Sequence, residues 1–256
     1  IAGHPYLSIA AAMAAGIASG FITAILQTKM GINSLLAGII VNTGLYSINI
    51  AVMSGSSILN MNKTDTVFTK MAALVKGTPV ARQSKLFVAI IAVAAVAVIL
   101  GLFLKTRLGL AIRATGDNPD MVRSSSVNPA FTTIIGLCVA NSFTALSGCL
   151  LAQSQRSVNI DIGTGMVTIA LASLLIGGVF LGRKKMPLRI FGMVLGAFIF
   201  RLIYTIALRF DMPAFMLKFV SSVIVIAAIA TPYFKKQLPL LKRRIQTRSG
   251  RRKADA

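Results

Sequence analysis

The chain has 256 residues, of which 55% are hydrophobic and only 13% charged, with a mean hydropathy of +0.79. That hydropathy excludes a soluble domain of this length and places the chain among polytopic membrane proteins. The formal net charge of +21 sets 27 Lys and Arg against six acids, all Asp; the excess gathers at the ends of apolar runs and in the tail, which fits membrane orientation and excludes a nucleic-acid surface.

Seven apolar segments follow one another at roughly 6–26, 34–53, 86–104, 130–151, 166–182, 189–209 and 214–231, each near the length that crosses a bilayer. The expected fold class is therefore all-α, a polytopic transmembrane helical bundle. The chain opens on Ile1 inside an apparent connecting segment, so one or more further N-terminal helices are expected before it. The first segment carries Gly16-Ile-Ala-Ser-Gly20, a pair of small residues one turn apart that lets another backbone approach closely. The second holds Asn42 at mid-span. An amide there serves as interhelical glue or as part of a translocation path.

The connection 54–85 is too long for a turn. Val67, Phe68, Met71, Leu74 and Val75 recur in it at helical spacing, with Asn62 or Thr64 available as a cap and Gly77 as a stop. This predicts a short amphipathic helix on the outer face, covering the bundle or docking an external protein.

The fourth segment contains Asn141, a second mid-span amide, and both cysteines. Cys138 and Cys149 stand eleven positions apart, about 16 Å of helical rise, so they cannot pair within that helix, and no second ligand at suitable spacing makes either a metal site. Arg156 and Asp161 follow at the outer mouth, where they are candidates for docking a delivery protein. The fifth segment is short and edged by Gly163, Gly165, Gly177 and Gly178, the pattern of a broken or re-entrant helix. Its glycine run from Gly177 to Lys184 has Walker-like spacing. It lacks the lysine and hydroxyl of a phosphate loop, because Arg183 stands in the lysine position. The sixth segment carries Gly192-Met-Val-Leu-Gly196 and, about 18 Å in from Arg189, Arg201. A charge at that depth is costly and is expected to face the bundle interior, with Tyr204 and Thr205 on a similar face.

With the tail placed inside, the connections 27–33, 105–129, 183–189 and 232–256 carry 18 basic residues, against 7 in 54–85, 152–165 and 209–213. This asymmetry makes 105–129 cytoplasmic and 54–85 external. It gives a transmembrane domain over 1–234 and a basic cytoplasmic tail over 235–256, whose charges suit anionic lipid headgroups.

The 105–129 connection is the most informative polar stretch. Thr106 to Thr115 extend the preceding helix into water, and Gly116 offers a left-handed stop. Asn118 or Asp117 caps a short helix, Pro119 suits its first turn, Asp120 complements its positive end, and it runs through Arg123. So short a helix needs a partner surface. Met121 and Val122 supply the apolar contact, and Arg113, Asp117, Asp120 and Arg123 the polar rim.

The run Gly109-Leu-Ala-Ile-Arg113-Ala-Thr-Gly116-Asp117-Asn118-Pro119-Asp120-Met121-Val122-Arg123-Ser resembles the coupling segment of ABC importer permeases of the branched-chain amino acid and simple-sugar group. The resemblance extends through Lys29 to Gly38, Leu45 to Asn49, Leu150-Leu-Ala-Gln153, Gly163-Thr-Gly165-Met, and Ile199-Phe-Arg201-Leu-Ile-Tyr204. Together these are similar to the tryptophan/tyrosine-type uptake permeases and cover nearly the whole chain. One departure is Ser126, where the family usually has Gly, which bears on how sharply the coupling helix ends. The resemblance implies a multi-pass bacterial plasma-membrane subunit importing a small organic solute, with an amino acid suggested at family level. It implies a second permease copy, two cytoplasmic ATPase subunits that bind ATP–Mg, an external substrate-binding lipoprotein, and no cofactor of the chain's own.

Two rival readings make specific demands. A secondary transporter driven by ions or protons needs carboxylates deep in its spans, and none of the six Asp lies there. A membrane enzyme would use Asp117-x-x-Asp120 as a metal pair, but no second carboxylate cluster, His or Cys lies nearby in sequence.

Overall fold

The computed structural model describes residues 4–62, 64–74, 84–163, 166–181 and 186–209, with isolated positions between 216 and 230. The elements run α1 (Pro5–Thr28), α2 (Ser34–Val52), β1 (Ile58–Asn60), α3 (Val67–Leu74), α4 (Ser84–Phe103), α5 (Arg107–Asp117), α6 (Pro119–Ser124), α7 (Pro129–Gln155), β2 (Ser157–Asn159), a 3₁₀ turn (Ile160–Gly163), α8 (Met166–Leu181) and α9 (Met186–Arg209). The chain divides into two compact units, residues 1–161 and 162–256.

Five helices among the described residues are long and apolar enough to cross a membrane, within α1, α2, α4, α7 and α9. They coincide with five of the seven expected segments. The fifth segment folds as the unbroken helix α8, 16 residues long and about 24 Å in length, instead of breaking at its glycines. The seventh segment falls largely outside the described residues, and the tail wholly so, as do Val75 and Gly77.

In the first unit α1 and α7 pack antiparallel. A Cβ on Gly16 would stand 2.5 Å from the Asn141 carbonyl oxygen, and one on Gly20 would stand 2.6 Å from that of Leu137. Both glycines are buried in this contact, so the first small-residue pair brings two backbones of the same chain together. Ala37 and Val41 are the buried residues of α2, which packs on α1. Helix α4 keeps Leu86, Phe87, Ile90, Ile91, Val98, Ile99 and Leu102 exposed, an apolar surface such as a membrane helix presents to lipid or to another helix.

The second unit repeats the device. Gly196 lies against the Ser173 carbonyl and Gly177, and Gly177 against the backbone of Gly192. Ile190 and Phe200 complete the buried face of α9.

The two ends of the first unit are built differently. At one end β1 pairs with β2 antiparallel, Ile58 opposite Asn159 and Asn60 opposite Ser157. This ribbon is an addition to the all-helical expectation, and it ties the connections 54–85 and 152–165 together. It is followed by α3, capped by Thr66 and not by Asn62 or Thr64. The Thr66 Oγ1 accepts the Thr69 N–H at 3.2 Å while Thr69 Oγ1 accepts the Thr66 N–H at 2.7 Å, a reciprocal capping box. At the other end α4 does not extend into water as expected. It breaks at Leu104–Thr106, and α5 starts afresh from Thr106.

Candidate functional site

The site at this second, elbow end is a succession of local caps. Thr106 Oγ1 donates to the Phe103 carbonyl at 2.6 Å and accepts the Gly109 N–H at 3.2 Å, which turns the chain sharply between α4 and α5. Gly109 is buried against the Phe103 carbonyl and Leu104, where no Cβ fits. Helix α5 then runs to Asp117 with Gly116 inside it, so Gly116 is not the left-handed stop. Asn118 ends α5 in an extended conformation and begins α6. Its Oδ1 accepts the N–H groups of Asp120 and Met121 at 3.1 and 3.2 Å. Pro119 occupies the first turn, Asp120 sits at the positive end of the helix and Arg123 at the negative end.

The close of α6 is a Schellman motif. The Val127 N–H donates to the Val122 carbonyl at 3.3 Å and the Ser126 N–H to the Arg123 carbonyl at 3.2 Å. Ser126 takes φ 60, the left-handed conformation that glycine adopts freely. The departure at Ser126 thus falls at the position that needs a positive φ, and the helix ends sharply nonetheless. Asn128 Oδ1 then accepts the Ala130 N–H at 2.9 Å and starts α7 behind Pro129.

A buried tie fixes this end to α7. The hydroxyls of Thr115 and Thr132 share a 2.7 Å hydrogen bond, Thr132 also donates to the Pro129 carbonyl at 2.9 Å, and Thr132 is only 1% exposed. Of the two residues expected to offer apolar contact, Met121 is 65% exposed but Val122 is 5% exposed. Val122 is therefore corrected to a residue that seats α6 on its own chain. Arg113 is half-buried, while Gly116, Asp117, Asn118, Asp120 and Arg123 are exposed around Met121. Asp117 and Asp120 are joined by no third His, Cys, Asp or Glu that would complete a metal cluster among the described residues.

The membrane candidates are not brought together. Asn141 donates to the Leu137 carbonyl of its own helix at 3.0 Å rather than across to another helix, and its main chain forms part of the α1 contact. Asn42 is exposed on α2. Arg201 is exposed on α9, beside Thr205, whose hydroxyl donates to the Arg201 carbonyl at 2.8 Å. Tyr204 leaves that face and stacks on Phe200, with centroids 6.4 Å apart. Arg156 and Asp161 are both exposed and flank β2, with Arg156 at φ 55 closing α7. Gly177 and Gly178 stand inside α8, a helix and not a phosphate loop.

Three side chains that sequence reasoning gave no role organise the first unit: Thr66, Thr132 and Gln153, at 1%, 1% and 3% exposure. For Gln153 the available signal was a carboxamide near the end of an apolar helix, shared with Gln155 two residues on. For the two threonines there was none.

The chain matches, over residues 2–229, the family described as branched-chain amino acid transport system, permease component. A tyrosine transport system permease protein of Clostridioides difficile (strain R20291) is 31% identical over 227 residues, which are 89% of this chain and 73% of that protein. A ribose import permease protein of Escherichia coli (strain K12) is 27% identical over 197 residues, 75% of this chain and 58% of the relative. An autoinducer 2 import system permease protein of Yersinia enterocolitica is 24% identical over 224 residues, 87% of this chain and 59% of the relative. The chain thus spans less than two thirds of the latter two proteins. No solved structure is matched by the chain.

Proposed function

The chain belongs to the family of branched-chain amino acid transport system permease components, and from that membership we propose that it is the membrane-spanning subunit of an ATP-driven importer for a small organic solute. Two copies of the permease frame the path, two cytoplasmic ATPase subunits bind ATP–Mg and drive it, and an external lipoprotein delivers the solute. An amino acid is the proposed cargo, since the relative with 31% identity is a tyrosine permease. In this reading the elbow end is cytoplasmic and the ribbon end external, as the basic residues predict.

The observation that supports the reading best is α6 itself. It is a six-residue helix capped at both ends, too short to be stable alone, that holds Met121 outward within a rim of Asp117, Asp120 and Arg123. Such an element fits a groove on a soluble partner. Movement of that partner pushes α6, and the Thr115–Thr132 tie passes the push to α7.

Proteoliposomes carrying the permease and its ATPase test this. Asp120→Arg or Arg123→Asp should lower ATP-driven uptake about tenfold, the effect of ~1.4 kcal/mol lost at the contact, with the permease still folded. Unchanged uptake and unchanged ATPase association in both variants would refute the assignment. Competition between labelled tyrosine and ribose then sorts the cargo.

A further inference from the structure

The ribbon end converges on one side chain. Gln153, nearly fully buried in the last turns of α7, accepts the Val67 N–H through Oε1 at 3.0 Å. Its Nε2 donates to Ser8 Oγ at 3.1 Å and to Cys149 Sγ at 3.4 Å. The Val67 N–H belongs to the first turn of α3, where the helix offers its own N–H donors no acceptor. One carboxamide therefore satisfies the start of α3 and joins it to α1 and α7. Two main-chain ties run in parallel: the Met61 N–H donates to the Arg156 carbonyl at 2.9 Å, and β1 pairs with β2.

The opposite end of the same helix is held by Thr132, through its hydrogen bond to Thr115 of α5. Thr132 and Gln153 lie on one continuous helix, about 32 Å apart at 1.5 Å per residue. Between them Gly16 and Gly20 press α1 onto the α7 backbone. Gln153 and Thr132 are themselves almost fully buried, so water competes little for their hydrogen bonds and each end is held.

We infer that Gln153 is a positioning residue that keys α3 to α7, so that α3 and the ribbon follow displacements of α5 and α6 as one body. The inference rests on the proposed permease function, because the ATPase supplies the displacement. Gln153 acts through the placement of α3. The cover at the external mouth then takes its position from the nucleotide state on the other side of the membrane.

The test uses the permease–ATPase complex in lipid nanodiscs, with Cys138→Ala and Cys149→Ser, and a bimane label on Asp65→Cys beside α3 or on Ser124→Cys in α6. ATP with vanadate should shift the emission at both positions. Gln153→Leu should shrink the shift at position 65 by about twofold or more, the range in which contact-network mutations alter coupling, while the shift at position 124 and the ATPase rate persist. Gln153→Glu retains the acceptor for Val67 and should keep most of the response. Thr132→Val should reduce the response at position 65 from the other end, and decides the matter if Gln153→Leu does not fold. A shift at position 65 indifferent to both Gln153→Leu and Thr132→Val overturns the inference. So does a parent protein that shifts at position 124 but not at 65, and in that case the permease reading stands. No shift at either position, with no ATP-driven uptake, overturns both.

Discussion

The two ends of the first unit solve the same problem by different means. At the elbow end Asn33, Thr106, Asn118 and Asn128 each cap a helix by accepting an N–H two or three residues ahead. At the ribbon end the ties span the chain: β1 pairs with β2 across nearly a hundred residues, and Gln153 reaches Val67 and Ser8 across 86 and 145. The elbow end can therefore form from its own sequence, and leaves Met121 exposed for something else. The ribbon end forms only once α1, α3 and α7 have met. A segment built from local caps can yield to a partner without unfolding its neighbours, whereas one built from long-range ties moves with them.

The largest effect should come from breaking the rod that the two ends share. Gly20→Leu places a side chain against the Leu137 carbonyl and the Cys138 backbone, which cannot step aside as a flexible side chain would. A cost of about 3 kcal/mol or more is expected. Thermal unfolding in detergent should report loss of the folded permease, and an unchanged midpoint would separate α1 from α7.

Caps at the two ends sharpen the contrast. Asn118→Ala and Thr66→Ala should each cost about 1 kcal/mol. The first should lower ATP-driven uptake while leaving amide exchange in α3 unchanged. The second should speed exchange in α3 while leaving α6 protected. Hydrogen exchange by mass spectrometry reads both, and equal loss of protection at both ends in either variant would erase the distinction between them.

Sidedness is a further separation. Single cysteines at 58–62, in a background without Cys138 and Cys149, should react with impermeant reagents from outside, and those at 117–125 should not. Labelling of 117–125 from outside would reverse the assignment of the ends.

The smallest effect is expected at the left-handed residues, which occur at both ends: Ser126 at the elbow, Ser54 and Arg156 at the ribbon. Ser126→Gly removes the strain of a Cβ at φ 60 and should stabilise the permease by about 0.5 kcal/mol. A loss of stability would mean that the Ser126 side chain holds the turn.

Legibility in the sequence followed the same division. The short helix 119–124, its Asn118 cap and the Pro119 start could be read from neighbouring residues. The helix-contact roles of Gly16, Gly20, Gly192 and Gly196 could be read from spacing. Val122 was misplaced because a six-residue helix has too few turns to define a buried face from its pattern. Thr66 was passed over for Asn62 and Thr64 because several nearby side chains qualify as caps, and only the docking of Val67 on Gln153 selects among them. The mid-span amides Asn42 and Asn141 were expected to bond between helices or to line a translocation path. Asn141 bonds along its own helix because the α1 glycines bring backbone, not side chains, against it.

Sequence by itself determined the class, five of the spans and the caps that start the short helix 119–124 and α7. Hydropathy follows composition, and a cap acts within three residues of itself. Only the tertiary structure decided which backbone the glycines meet, that two distant connections pair as a ribbon, that Val122 faces inward and that Gln153 clamps α3. Most of those depend on residues far apart along the chain, and a carboxamide or threonine carries no mark of its partner until packing removes water from around it.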